Sequence, residues 1–189
     1  MIVKRAYKYR IYPNREQRNF FARTFGCVRL FYNTSLDDMN KLYKEKKEYK
    51  DITPASYKEQ FPFFKDVDSL ALSNAQLNRN KGFKAFFRGQ NNFPKYKAKR
   101  NKQSYSTNNQ NGTVYLSEDC KYISLPKIKN IRIKMHRKFN GVIKTVTVSK
   151  ECDNTYYISI LVEENIETKT KTNKSVGIDL GIKSYIVDS

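Results

Sequence analysis

Ile2-Val-Lys-Arg-Ala-Tyr-Lys-Tyr-Arg-Ile-Tyr12 is the stretch on which the fold turns. Val3, Tyr7, Tyr9 and Ile11 fall on one side of a two-residue alternation and Lys4, Lys8 and Arg10 on the other. That period describes a half-buried strand with a basic outer face. Pro13 ends it, and Asn14 with Gln17 three residues on has the layout of a helix cap whose N3 side chain reaches back. No strand follows nearby. The next alternating sequence begins after Phe93, so the first strand joins a sheet made from that distant half, and the helices between are an insertion.

Those helices are legible from apolar spacing. Phe21, Phe25, Val28, Tyr32, Leu36, Met39 and Tyr43 recur at steps of three and four, which predicts a long amphipathic helix with an aromatic core stripe. Gly26 within it costs about 1 kcal/mol relative to Ala, which implies a closely packed neighbour. Lys44 to Asp51 reads as a charged, solvated stretch. Thr53-Pro54 has the form of a cap and first-turn proline opening a short helix toward Phe61. A third helix is expected from Ser69 to about Phe87, burying Leu70, Leu72, Ala75, Leu77, Phe83 and Phe86. Asn91-Asn92 closes the bundle.

From Phe93 the period changes. Short alternating runs at 104–107, 113–116, 122–125, 128–133, 142–148 and 156–162 are separated by turn-prone Asn111-Gly112, Glu118-Asp119, Asn140-Gly141 and Asp153-Asn154. Many short strands at that spacing predict a small β-barrel. Residues 163–174, polar with Thr alternating with Lys, read as a linker. The expected class is α+β, with a barrel from 1–12 and 93–168, a helical domain at 13–92, and a separate C-terminal segment at 169–189.

Composition narrows the function. The 189 residues carry a formal charge of +19, and the excess is concentrated between Phe93 and Lys150, at +12, while Glu151 to Ser189 is slightly acidic at −3. A concentrated excess is the electrostatic footprint of a polyanion partner, although lysine-rich sequences also arise without one. No apolar run approaches the roughly 18 residues a membrane span needs, and the N-terminus lacks a signal-peptide core, so a cytoplasmic protein with no membrane partner is expected. Cys27, Cys120 and Cys152 are odd in number and never C-x-x-C, which gives no disulfide framework and no zinc site. The single histidine, His136, lies in Lys134-Met-His-Arg-Lys138, where it faces phosphate or solvent. Nucleophilic catalysis by a serine–histidine or cysteine–histidine pair has no support.

Two stretches carry chemistry. Phe93-Pro-Lys-Tyr-Lys-Ala-Lys-Arg-Asn-Lys102 combines five cations, Lys95, Lys97, Lys99, Arg100 and Lys102, with two rings, Phe93 and Tyr96. Cations track phosphates while rings stack on bases at roughly 1–3 kcal/mol per base. Lys4, Lys8, Arg10, Lys127, Arg132, Lys134, His136, Arg137 and Lys138 extend the same surface. The second stretch is Val176-Gly-Ile-Asp179-Leu-Gly181-Ile-Lys-Ser-Tyr-Ile-Val187, an apolar strand carrying one carboxylate. Burying an ionised carboxylate costs several kcal/mol unless it is paired or bound to metal. Asp179 is therefore either the cap of a turn at the strand end or a metal ligand. The phosphate hairpin of actin-like and sugar-kinase ATPases also carries G-x-D-x-G, but it wants Thr or Ser where Ile182 stands.

Several separated segments resemble one family. Tyr9-Arg-Ile-Tyr-Pro-Asn-Arg-Glu-Gln17, Phe25-Gly-Cys-Val-Arg-Leu-Phe-Tyr-Asn33, Phe93-Pro-Lys-Tyr-Lys-Ala-Lys99 with Ser104-Tyr-Ser-Thr107, Leu125-Pro-Lys127 and Val176-Gly-Ile-Asp-Leu-Gly-Ile-Lys183 look, in that order, like the TnpB proteins of bacterial insertion sequences, the OrfB-type transposases. The resemblance implies a wedge-type β-barrel with an inserted helical recognition domain, followed by the first strand of a RuvC-like, RNase H-fold nuclease domain. It also implies RNA-guided DNA endonuclease activity, with guide RNA and target double-stranded DNA as partners and kinship with compact type V CRISPR effectors. Pro54, Ser56, Ser69, Leu70, Ser73, Gln110 and Asn111 match the family positions that read a short motif beside the target. Asp179 matches the first RuvC carboxylate, one ligand of two Mg²⁺ ions. The other Glu and Asp ligands and the zinc element of the family are not among these residues. Glu163, Glu164, Glu167 and Asp188 lie in the linker or too near Ser189 to replace them.

The expectation is thus the nucleic-acid-binding N-terminal part of a TnpB-type endonuclease, catalytically incomplete by itself, with no Mg²⁺ held by this chain alone. Two alternatives stand beside it: a nuclease-dead RNA-guided regulator, and a helix-turn-helix accessory that reads duplex DNA without RNA. Oligomeric state is not legible.

Overall fold

The strand without a local partner occupies the centre of the sheet. In the computed structural model, which describes residues 1–46, 52–167, 177–179 and 187–188, seven antiparallel strands run in the order β2-β6-β7-β1-β5-β4-β3. They are β1 (Ile2–Tyr12), β2 (Gln103–Asn108), β3 (Tyr115–Leu116), β4 (Tyr122–Leu125), β5 (Ile128–Lys134), β6 (Val142–Lys150) and β7 (Tyr156–Asn165). β1 pairs with β7 from Ile2↔Asn165 to Ile11↔Tyr156, and its last residues pair with β5 as Arg10↔Lys134, Ile11↔Ile133 and Tyr12↔Arg132. Its alternation is as read: Tyr9 and Ile11 are buried, Tyr7 is half-buried, and Lys4, Lys8 and Arg10 face out.

The sheet curls into a half-barrel, and among the described residues β2 and β3 are its edges. Register shifts between Ile143 and Thr145 in β6, and between Ile123 and Leu125 in β4, supply the kind of irregularity that bends and twists a strand. The inner face is filled by helix side chains. Phe21 of α1 (Arg15–Lys46) lies 6.2 Å from the Tyr105 ring of β2 and 5.8 Å from the Tyr156 ring of β7. Phe20, Phe21, Phe25 and Phe31 of α1, Leu72 and Ala75 of α2 (Ser69–Phe87), and Ile123, Ile131, Val146, Val148, Ile158 and Ile160 of the sheet form one continuous core. The junctions at 12/13 and 92/93 therefore change secondary structure without interrupting the core.

Local rules account for the helix ends. The Asn14 backbone N–H donates to Gln17 Oε1 at 2.9 Å and the Gln17 N–H to Asn14 Oδ1 at 2.8 Å, the reciprocal cap expected from the sequence. Asp68 caps α2, its Oδ1 accepting from the Leu70 N–H at 3.0 Å. Between the helices, Pro54–Tyr57 and Pro62–Lys65 are short 3-10 turns, so among the described residues two α-helices rather than three lie between β1 and β2. Two prolines in nine residues, each removing a donor, account for the turns.

Three expectations about packing change. No neighbour lies within 4 Å of a Cβ placed on Gly26, which borders an open hollow lined by Arg23, Cys27, Phe63, Asp66 and Val67. Leu77 and Phe86 are exposed, whereas Arg79 is fully buried, its Nη2 donating to the Ile52 carbonyl at 3.0 Å. Glu163 and Glu164 belong to β7 and not to a linker, because both complete the ladder with β1. Asp179 lies in β8 (Ile178–Asp179), which pairs antiparallel with β9 (Val187–Asp188), two short strands in place of the single one expected. Its side chain, the stretch 47–51 and the remainder of 168–189 are outside the described residues.

Gly141 shows how closely β6 meets β7. A Cβ there would run into the Glu163 carbonyl oxygen and sit 2.8 Å from Val162 Cγ1. Gly141→Ala is expected to cost about 1–3 kcal/mol, the usual penalty of overpacking. In a thermal melt that lowers Tm by roughly 2–10 °C; an unchanged melt would mean the strands part more easily than the register implies.

Candidate nucleic-acid interface

The basic outer face of β1 divides into two halves. At its start, Lys4 Nζ lies 3.7 Å from Glu163, which Lys144 also approaches at 2.7 Å. Arg5 lies 3.5 Å from the buried Glu164, whose other oxygen accepts from the Tyr7 hydroxyl at 2.6 Å. Lys8 and Lys102 share Glu151 at 3.7 and 2.6 Å. The bond from Lys102 holds the Glu151 carboxyl below the usual carboxylate range, and the bond from Lys144 does the same for Glu163. Each of these lysines has an acidic partner, two lysines to one carboxylate. Sequence spacing did not show this, because the partners are brought together by the register of β1, β6 and β7.

The end of β1 differs. Among the described residues, no carboxylate lies within 4 Å of the charged nitrogens of Arg10, Arg132 or Lys134. The pairings Arg10↔Lys134 and Tyr12↔Arg132 place all three cations together on the outer face. Tyr12 lies between guanidinium groups, with Arg10 Cζ 5.2 Å and Arg132 Cζ 5.9 Å from its ring centre. Tyr122 pairs with Arg132 from the other side. Tyr12, Lys121, Tyr122, Arg132, Ile133 and Lys134 line a hollow of about 540 Å³. Tyr12, Tyr122 and Lys121 were not singled out in the sequence, since only the β1-β5-β4 register brings them to Arg132. Unneutralised cations interleaved with exposed rings form a surface suited to a phosphate backbone and its bases.

Residues 135–139 extend this end. The Tyr9 hydroxyl donates to the Arg137 carbonyl at 2.7 Å, and Phe139 stacks on Tyr7 with centroids 5.4 Å apart. Burial pushes the Tyr9 hydroxyl up to about 12, so it remains a donor at any ordinary pH. His136 rests its ring 5.3 Å from that of Tyr9, while Arg137 and Lys138 stay exposed. The Lys127 ε-amino group donates to the Lys65 carbonyl and so ties β5 to the turn preceding α2.

The segment 93–102 is a strap along the helices. Phe93 packs edge-on against Phe83 and Phe86 at 5.5 and 5.2 Å and keeps 42% of its surface exposed. Asn33 clasps Lys97 through both backbone groups, at 2.9 and 2.8 Å. Lys97 Nζ sits 4.3 Å from the Tyr32 ring centre, where burial lowers its pKa. Tyr96 donates to Asp37 at 3.1 Å yet keeps half its surface exposed. Lys95, Lys99 and Arg100 project outward.

The residues matched to motif reading occupy two places. Ser69, Leu70 and Ser73 open α2, with Ser73 Oγ bonded to the Ser69 carbonyl at 3.1 Å. Gln110 and Asn111 are exposed in the loop after β2, where Asn109 fixes the base of the loop by accepting from the Val114 N–H at 2.9 Å. Asp68, the α2 cap, is close enough to Tyr105 to help raise its pKa after burial, so the start of α2 faces β2. Pro54 and Ser56 lie apart from these, on the 3-10 turn, with Ser56 Oγ bonded to the Thr53 carbonyl at 2.8 Å.

A family model of OrfB type, described as a helix-turn-helix domain, matches residues 1–48. A Streptomyces pristinaespiralis protein named "Putative RNA-guided DNA endonuclease" is 29% identical over 191 residues, covering 97% of this chain and 48% of that protein. The chain is thus similar to a protein of that name over nearly its whole length. The Escherichia coli K12 protein named "Putative RNA-guided DNA endonuclease InsQ" is also 29% identical, over 94% of this chain and 45% of its own length. The chain thus spans about half the length of the curated relatives it matches. A chain in a cryo-EM structure of the Cas12f1-sgRNA-target DNA complex aligns over 99% of this chain and 54% of its own, at 14% identity and a TM-score of 0.40, and at that score adds nothing to the assignment. The segment matched as helix-turn-helix folds, where described, as β1 followed by one continuous helix, α1.

Proposed function

We propose that this chain is the nucleic-acid-binding part of a TnpB-type RNA-guided DNA endonuclease of an insertion sequence, a cytoplasmic bacterial protein that grips a guide RNA and recognises a short motif beside the DNA target. One observation carries the reading: among the described residues, Arg10, Arg132 and Lys134 gather with no carboxylate within 4 Å of their charged nitrogens, beside Tyr12 and Tyr122. The curled sheet stands as the counterpart of the wedge-type barrel, and residues 13–92 as the recognition insertion. Ser69, Leu70, Ser73, Gln110 and Asn111 are the proposed motif readers, with Pro54 and Ser56 beside them. Lys95, Lys99, Arg100, Arg137 and Lys138 add phosphate contacts, and His136, Lys97 and Tyr96 flank them.

The helix-turn-helix accessory is disfavoured on geometry. A reader of that kind needs two helices joined by a short turn, and residues 1–46 provide a strand and one helix. A RuvC-type nuclease holds two Mg²⁺ ions that activate water and stabilise the leaving oxygen. Asp179 is the one residue here proposed as a ligand, and a single carboxylate does not hold two ions. Glu163 and Glu164 are committed to Lys4, Lys144, Tyr7 and Arg5. No cleavage step is assigned to these residues.

The test is equilibrium binding of the purified chain to a transcript of its own insertion-sequence end, from 50 to 200 mM salt. Affinity is expected to fall steeply, log K dropping by about 0.7 per phosphate contact for each decade of salt on single strands. Tighter, salt-insensitive binding to duplex DNA without RNA would overturn the reading.

A further inference from the structure

Tyr12, Arg132 and Tyr122 stand directly opposite one another on three adjacent strands, β1, β5 and β4. We propose that this row is a slot for one unpaired nucleobase of a single-stranded nucleic acid, taken between the two tyrosine rings above the Arg132 guanidinium. The proposal rests on the reading of this face as a nucleic-acid surface and adds what the face recognises.

Three observations carry it. Strands lie about 4.8 Å apart, so the two tyrosines start about 10 Å from each other, a span that two offset stacks of about 5 Å fill. Tyr12 and Tyr122 are each 41% exposed, and among the described residues no ring packs against Tyr122. A structural cation–π pair accounts for Tyr12 with Arg132 at 5.9 Å, but it leaves the second ring without a function. The hollow they share, about 540 Å³, lies within the size range of small-molecule sites and is flanked by Lys121 and Lys134, which suit the phosphates on either side of an inserted base. Lys121 is partly matched by Asp119 at 3.7 Å, while Lys134 is unmatched.

Duplexes do not fit this slot, because their bases are stacked and their hydrogen-bonding edges paired. An unpaired base offers both faces to the rings and its edge to Arg132, whose planar fork matches the N7 and O6 acceptors of guanine. RNA and DNA single strands share this chemistry.

The experiment uses the full chain and single-stranded RNA and DNA oligonucleotides carrying one 2-aminopurine, whose emission falls when it stacks. Wild type is expected to quench the probe, the RNA and DNA arms showing which strand the slot prefers. Tyr122→Leu and Tyr12→Leu should each relieve the quench and weaken binding about tenfold while leaving the salt slope unchanged, since stacking releases no counterions. Tyr122→Phe and Tyr12→Phe should restore both, which separates loss of a ring from loss of fold. Leucine variants that bind and quench like wild type, with salt-dependent binding intact, would overturn the slot and leave the interface standing. Absence of salt-dependent binding by wild type to either strand would overturn the interface itself.

Discussion

Replacing Arg10, Arg132 and Lys134 together by alanine is expected to weaken binding to single-stranded RNA about 100-fold at 0.1 M salt. Each lost phosphate contact removes about 0.7 from the slope of log K against log salt, so three remove about 2, and one decade below molar salt that is about two decades of affinity. The three side chains project from the outer face, where no buried neighbour depends on them, so the melt should stay close to wild type. Lys8→Ala with Lys102→Ala provides the contrast. Both lysines share Glu151, whose carboxylate holds them and cancels one of their two charges, so they contribute less to phosphate binding and the loss should be several-fold smaller. Equal losses from the two variants would mean that gross charge, and not the unmatched end of the sheet, sets affinity.

Phe21→Ala is expected to cost about 3–5 kcal/mol, a large part of the roughly 5–15 kcal/mol that stabilises a typical domain. Phe21 is fully buried where α1 meets the sheet, with Phe25, Tyr105 and Tyr156 rings 6.4, 6.2 and 5.8 Å away. Little can close over the cavity, because Tyr105 and Tyr156 are fixed in opposing parts of the ladder, on β2 and β7. Helix and strand signals should therefore be lost in one transition at a lower denaturant midpoint. If the helical signal melted separately, residues 13–92 would form a domain of their own and the shared core would be incidental.

The same junction shows what the sequence disclosed. The boundaries of α2, the Asn14–Gln17 cap and most of the strands from Gln103 onward follow from short-range rules of spacing and turn chemistry, and those rules held. Long-range matters were hidden. Leu77 and Phe86 sit at helical core spacing yet face outward, while Arg79, polar by type, fills the interior and bonds the Ile52 carbonyl. Glu163 and Glu164 looked like linker because their partners, Lys4, Lys144, Arg5 and Tyr7, belong to other strands. For the site, sequence marked the cations without showing which were spent on internal ion pairs. It passed over Tyr12 and Tyr122, whose meaning depends on a register across β1, β5 and β4 that no local pattern encodes.

Ultraviolet crosslinking of the chain to a single-stranded RNA, followed by peptide mapping, tests the central claim most directly. The unmatched end of the sheet should take the crosslinks, at Tyr12, at Tyr122 and in the peptide covering residues 132–138. Crosslinks confined to the ion-paired beginning of β1 or to the outer face of α1, with none at Tyr12 or Tyr122, would contradict it.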